Sequence, residues 1–177
     1  LGEQPDKVFN IGGLGIENIK KLRLLSRPEI EKSINFKLNE KNILITFHPV
    51  TLEKNTSKKQ FKELLNVMRD LDNKTNIIFT KTNSDLNGKI INQMINKFTK
   101  KYPKKSIGFS SLGQIRYLSA LKHVDVLIGN SSSGLIEAPS FKIATINIGE
   151  RQKGRIKAKS VIDCLPFEKN IKVSLKK

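Results

Sequence analysis

The residues from Val124 to Gly134 read V-D-V-L-I-G-N-S-S-S-G, an apolar run that ends in a serine-rich turn and then enters an amphipathic segment carrying Glu137. This is the pattern of a strand feeding the start of a helix, and its chemistry is anion binding. The first-turn amides of a helix have no internal partner, and the macrodipole places about half a positive charge there. Small residues let the backbone approach a phosphate closely, and Ser131, Ser132 and Ser133 add hydroxyl donors. An ordinary N-cap would use the same residue types, because Ser and Asn are preferred caps in any helix.

Other polar residues fall at the ends of apolar runs. His48 follows Ile43–Phe47, Asn83 follows Ile77–Thr80, and Ser110 and Ser111 follow Ile107–Phe109. Gly149, Glu150, Arg151, Gln152 and Arg155 follow Ala144–Ile148. His48 reads either as a hydrogen-bonded turn residue or as a group that touches a phosphate or moves a proton. Glu137 is either a solvent-facing helix residue or a carboxylate that accepts both hydroxyls of a ribose. Arg151 is either a surface charge or a forked donor for a diphosphate.

Positioning these residues takes strands that alternate with helices. The apolar runs at 43–47, 77–80, 107–109, 124–129 and 144–148 suit buried parallel strands. Between them, Phe61, Leu64, Leu65, Met68 and Leu71 share a helical face, as do Ile90, Ile91, Met94, Ile95 and Phe98, and Ile115, Leu118 and Leu121. Ser57 with Gln60, and Ser111 with Gln114, have the spacing of capping boxes, and Pro139 should limit or kink the helix after the serine turn. The expectation is an α/β fold, a doubly wound parallel sheet with ligands at the carboxyl ends of its strands. Before Ile43, a strand at Val8–Ile11, a tight turn at Gly12, Gly13 and Gly15, a helix-like stretch at Glu17–Leu25 and a polar linker around Ser26–Asn42 are expected. The glycine cluster is too short for a dinucleotide fingerprint.

Composition narrows the function. The chain has 177 residues, 33 Lys and Arg against 16 Asp and Glu, and a formal net charge of +17. Such a charge attracts polyanions, but the lysines come in pairs at expected helix ends and polar faces, and with no Trp and two Tyr there is no stacking platform for bases. No specific nucleic-acid binding is expected. The single cysteine, Cys164, excludes an internal disulfide, and the scatter of the other ligand types argues against a zinc centre. No apolar run approaches a membrane span and no secretory signal is visible, so a cytoplasmic setting is expected. The chain begins at Leu1, which suggests a processed product or a piece of a longer chain.

Three strings, T-F-H-P-V-T (Thr46 to Thr51), I-G-N-S-S-S-G-L-I-E-A-P-S-F (Ile128 to Phe141) and I-N-I-G-E-R-Q-K-G-R (Ile146 to Arg155), resemble the nucleotide-binding half of the hydrolysing UDP-N-acetylglucosamine 2-epimerases. With L-G-E-Q-P-D-K-V-F-N-I-G at the start, the resemblance runs over nearly the whole chain. It implies one Rossmann-like half of a GT-B architecture, with the active site between the halves. Residues 1–40 would be a remnant of the first half plus a linker, and residues 41–177 the UDP-binding domain. By the same resemblance Ser131, Ser132 and Ser133 hold the diphosphate and Glu137 the ribose diol. Arg151 and Asn83 make further UDP contacts, backbone near Leu112 meets the uracil edge, and His48 supports catalysis near the phosphates. The implied reaction eliminates UDP to give a 2-acetamidoglucal and then adds water, yielding N-acetylmannosamine for sialic-acid synthesis without metal or cofactor. Its acid and base carboxylates belong to the first half, which would be the chain's partner, so the piece alone should not turn over. A homo-oligomer stays open. Leu14 stands where that family usually has Pro. Another GT-B enzyme, a glycosyltransferase or an epimerase of a different nucleotide sugar, would reuse the same turn and carboxylate.

Overall fold

The computed structural model describes residues 4–7, 16, 19, 21–50, 56–82 and 86–177. The expected strand at 8–11, the glycine turn, residues 17, 18 and 20 of the stretch 17–25, and Thr51 and Asn83 lie outside these residues.

The elements follow in chain order: α1 (Arg27–Ile34), β1 (Lys41–Thr46), α2 (Thr56–Asp70), β2 (Thr75–Thr80), α3 (Leu86–Lys101), β3 (Ser106–Phe109), α4 (Gly113–His123), β4 (Val126–Gly129), α5 (Ser133–Ile136), β5 (Ala144–Ile148), β6 (Val161–Cys164) and α6 (Glu168–Ser174). Every strand pair is parallel, and the order across the sheet is β3-β2-β1-β4-β5-β6. The doubly wound parallel sheet expected from the alternation of patterns is therefore present.

Side chains alternate across each strand, so a strand buried on both faces reads as a continuous apolar run. In β1 and the residue after it, Ile43, Ile45 and Phe47 join α2, α3 and α6 through Phe61, Leu64, Ile91, Ile95 and Ile171. Leu44 points the other way, toward Ile30 and Ile34 of α1 and Leu118 and Leu121 of α4. The expected helical faces are confirmed at Phe61, Leu64, Met68, Ile91, Ile95, Phe98, Leu118 and Leu121, all buried.

Four expectations need correction. Residues 26–42 are not simply a linker, because Glu29 accepts both the amide and the hydroxyl of Ser26, each at 2.8 Å, and so starts α1. Ile30 and Ile34, four residues apart, then face the core. Ser57 lies inside α2 rather than capping it, and its hydroxyl accepts the Val50 amide at 3.3 Å. At α4 the N-cap position is Leu112, and Ser111 accepts the Gly113 amide at 3.0 Å, a turn bond rather than a capping box. A sixth strand, β6, pairs with β5 from Thr145↔Val161 to Ile148↔Cys164, and its mixed V-I-D-C sequence carries too little periodicity to announce it.

Candidate functional site

Strand register sets the level of the rim. Phe109, Thr80, Thr46, Gly129, Asn147 and Asp163 lie on one row across the sheet. The residues just beyond that row are the ones the sequence singles out. Strand order reverses between β1 and β4, which is where ligands settle in sheets of this type. A hollow of about 520 Å³ opens there. The expected residues His48, Leu112, Ser131, Ser132, Ser133 and Glu137 all border it.

Gly129 makes the close approach possible. Its φ is +147°, and a Cβ placed on it would stand 1.8 Å from the Thr46 carbonyl oxygen. Gly134 has a related role, since a Cβ there would meet Thr145 Cγ2 at 2.6 Å. Thr145 Oγ1 donates to the Gly134 carbonyl at 2.9 Å, which seats α5 against β5. The helix itself is shorter than expected, a single turn followed by a 3-10 turn at Ala138–Phe141 with Pro139 near its start. One turn sums few peptide dipoles, so hydroxyls and individual amides, rather than a long macrodipole, are the donors at this mouth.

Asn130 ties the rim together. It is 1% exposed. Its side-chain oxygen accepts the His48 amide at 2.7 Å, and its side-chain nitrogen donates to the His48 carbonyl at 2.8 Å. On its other side the Asn130 carbonyl accepts Arg151 Nη1 at 3.0 Å and Gln152 Nε2 at 2.7 Å. Asn92 of α3 brackets Thr82 in the same way, with both bonds at 3.0 Å. His48 Nδ1 lies 3.0 Å from Thr82 Oγ1, which joins the two brackets and fixes the imidazole plane.

Glu137 follows α5, and its Oε2 is buried with no hydrogen-bond partner among the described residues, as is Thr46 Oγ1. Unpaired buried acceptors are rare, and this one belongs to a residue that borders the hollow. Tyr117 closes the floor by donating to Ser133 Oγ at 2.6 Å. Burial, reinforced by the charge of Glu137 and opposed by the Ser133 hydrogen bond, pushes its phenol up to about 12, so it remains a neutral donor.

Not every rim residue converges. Leu112 is 3% exposed and its carbonyl already accepts Arg116 Nε at 2.8 Å. Gly149, Glu150 and Lys153 border a separate hollow with Lys157 and Asp163. Sequence reasoning passed over Tyr117 and Thr46. Thr46 could have been found as the last residue of its strand, and Tyr117 as a residue one turn into the helix that follows the Ser110–Ser111 rim.

The UDP-N-acetylglucosamine 2-epimerase family model matches residues 1–177. This chain belongs to that family. Among curated epimerase relatives, the GDP/UDP-N,N'-diacetylbacillosamine 2-epimerase (hydrolysing) of Campylobacter jejuni is 43% identical over 163 residues, 92% of this chain and 42% of that protein. The polysialic acid biosynthesis protein P7 of Escherichia coli is 44% identical over 170 residues, 96% of this chain and 42% of that protein. The chain therefore spans about two-fifths of the length of these relatives. A UDP co-structure of Staphylococcus aureus MnaA shares the fold, with a TM-score of 0.69 at 15% identity over 99% of this chain and 45% of the other. Among the described residues of this epimerase-family chain, no helix is long and apolar enough to cross a membrane.

Proposed function

We propose that the chain is the nucleotide-binding portion of a hydrolysing UDP-N-acetylglucosamine 2-epimerase, which releases N-acetylmannosamine and UDP. The observation that carries this reading is the buried Glu137 Oε2, without a hydrogen-bond partner among the described residues, in a side chain that borders the same hollow as the serine turn at the strand-order reversal. A ribose diol supplies two hydroxyl donors, and a carboxylate whose buried oxygen is already desolvated accepts one at little further cost. Ser131, Ser132 and Ser133 face the diphosphate from one side. Arg151, anchored on the Asn130 carbonyl through one nitrogen, keeps other donors for the phosphates. Asn83 adds a UDP contact, and the uracil edge lies along the backbone at Leu112.

In the reaction the proton at sugar C2 leaves as the C1–oxygen bond to UDP breaks, and water then adds across the resulting double bond. The stabilisation of departing UDP belongs to this chain, and the serine turn, Arg151 and His48 supply it. The carboxylates that move the C2 proton come from the preceding half, with residues 1–40 forming its close and a linker whose helix α1 packs on this domain's core. The chain alone therefore binds UDP without turnover.

Calorimetric titration of UDP into the chain tests this. Glu137→Ala and Arg151→Ala each weaken binding by roughly 10- to 150-fold, the value of about 1.5–3 kcal/mol for a charged hydrogen bond. Unchanged affinity in both variants overturns the reading, as does release of N-acetylmannosamine by the isolated chain. A second reading, an epimerase of a different nucleotide sugar, is favoured by the name of the Campylobacter jejuni relative. Product analysis with the complete enzyme separates the two sugars, and transfer to an acceptor would mark a glycosyltransferase instead.

A further inference from the structure

Tyr117 and Ser133 come from different elements, α4 and α5, and both border the hollow at the strand-order reversal. The phenol is a costly way to fill this space. A phenylalanine ring would pack as well without a polar group to desolvate. Instead the hydroxyl sits 2.6 Å from Ser133 Oγ and donates to it.

A serine hydroxyl has one hydrogen and two lone pairs. Accepting from Tyr117 fills a lone pair on the α4 side and turns the serine hydrogen away from that helix. The Ser133 amide is occupied as well, since it reaches Ser131 Oγ at 3.4 Å. What Ser133 offers a ligand is therefore its hydroxyl hydrogen. Two further side chains stand beside the pair, Thr46, which meets the Tyr117 hydroxyl, and Glu137, whose buried Oε2 has no hydrogen-bond partner among the described residues.

We propose that Tyr117 is a positioning residue for nucleotide binding, which holds the Ser133 hydroxyl so that it donates to a phosphate oxygen of the bound nucleotide. This rests on the reading of the serine turn as a diphosphate site. The tyrosine hydroxyl donates to the serine and also lies beside Thr46 and in the field of Glu137. Its effect travels through one hydrogen bond, which both orients the second donor and polarises it, because consecutive O–H donors strengthen one another in a poorly solvated site. The contribution is confined to ligands that carry a phosphate at that position. A nucleoside, lacking one, gains nothing from the arrangement.

The test is a double-mutant cycle read with two ligands, UDP and uridine, titrated into this 177-residue chain. Tyr117→Phe weakens UDP binding by roughly 3- to 10-fold, the range expected for one neutral hydrogen bond, and leaves uridine binding within about twofold. In a Ser133→Ala background the same substitution has no further effect on UDP. The thermal midpoint of Tyr117→Phe stays near that of the parent chain, which separates positioning from damage to the fold. Equal weakening of UDP and uridine overturns the proposal, and so does a loss that persists undiminished in Ser133→Ala. A parent chain that binds UDP no better than uridine removes the diphosphate site itself. A parent chain that prefers UDP, with an unaffected Tyr117→Phe variant, removes only the role of the tyrosine.

Discussion

At the scale of single residues, Asn130 has the widest reach, because one side chain and one carbonyl hold three segments of the rim. Asn130→Ala leaves the His48 amide and carbonyl without their partners, and each buried group left unpaired costs about 1–3 kcal/mol. The variant should lose a corresponding part of its denaturant stability, and the His48 ring resonances should broaden as the backbone bracket is released. A stability unchanged from the parent would mean that water replaces the bracket. His48, the three serines and Glu137 were legible in the sequence because each sits in a local strand-turn pattern whose chemistry is carried by neighbouring residues. Tyr117 and Thr46 were not, since their importance exists only where α4, β1 and α5 meet, and nothing in the spacing along the chain records that meeting.

At the scale of elements, the seat of α5 on β5 is a steric fact with a steric test. Gly134→Ala drives a methyl to 2.6 Å from Thr145 Cγ2. The serine turn is displaced and UDP affinity falls by roughly tenfold or more, in keeping with the 1–3 kcal/mol typical of overpacking. Thr145→Ser deletes the offending methyl while keeping the hydroxyl that bonds the Gly134 carbonyl, so the double variant recovers most of the affinity. Between β5 and β6, the Lys157 ammonium bonds Asp163 at 2.7 and 2.9 Å and Asn147 donates to the same carboxylate at 2.7 Å. These bonds, that to Lys157 foremost, hold the Asp163 carboxyl below its ordinary 3.8. A lowered carboxylate pKa adds stability above the ordinary value, and that stability disappears as acid protonates the group below it. Thermal scans from pH 6 down to pH 2 should therefore show a shallower acid decline in Asp163→Asn than in the parent. Elements were legible where the period was clean, as in Ile43–Phe47 or Phe61–Met68. The strand β6 was hidden because an edge position leaves its pattern mixed, with Asp163 facing a lysine rather than a core. The helix α1 was hidden because its mean character is polar, although Ser26 and Glu29 stood at capping-box spacing.

At the scale of the whole molecule, the charge of +17 and the sheet topology act together. Several lysines stand where helix ends favour them, such as Lys100 and Lys101 at the end of α3 and Lys122 at the end of α4. Their summed field favours small anions without forming a base-stacking surface. Retention of mixed-sequence DNA should accordingly vanish near 0.15 M salt, where the Debye length is about 8 Å, while UDP binding survives. Binding that persists for DNA and ignores Glu137→Ala would point to the opposite conclusion. The overall architecture was the most legible level of all, since parallel strands buried on both faces need uninterrupted apolar runs and crossover helices. The proposed nucleotide contact of Arg151, whose guanidinium rests on the Asn130 carbonyl, has a kinetic corollary. Capture then requires no loop to search for its place, so the on-rate should approach the electrostatically steered encounter limit and drop as salt rises. Discrimination between one nucleotide and another would then reside almost wholly in how long each stays.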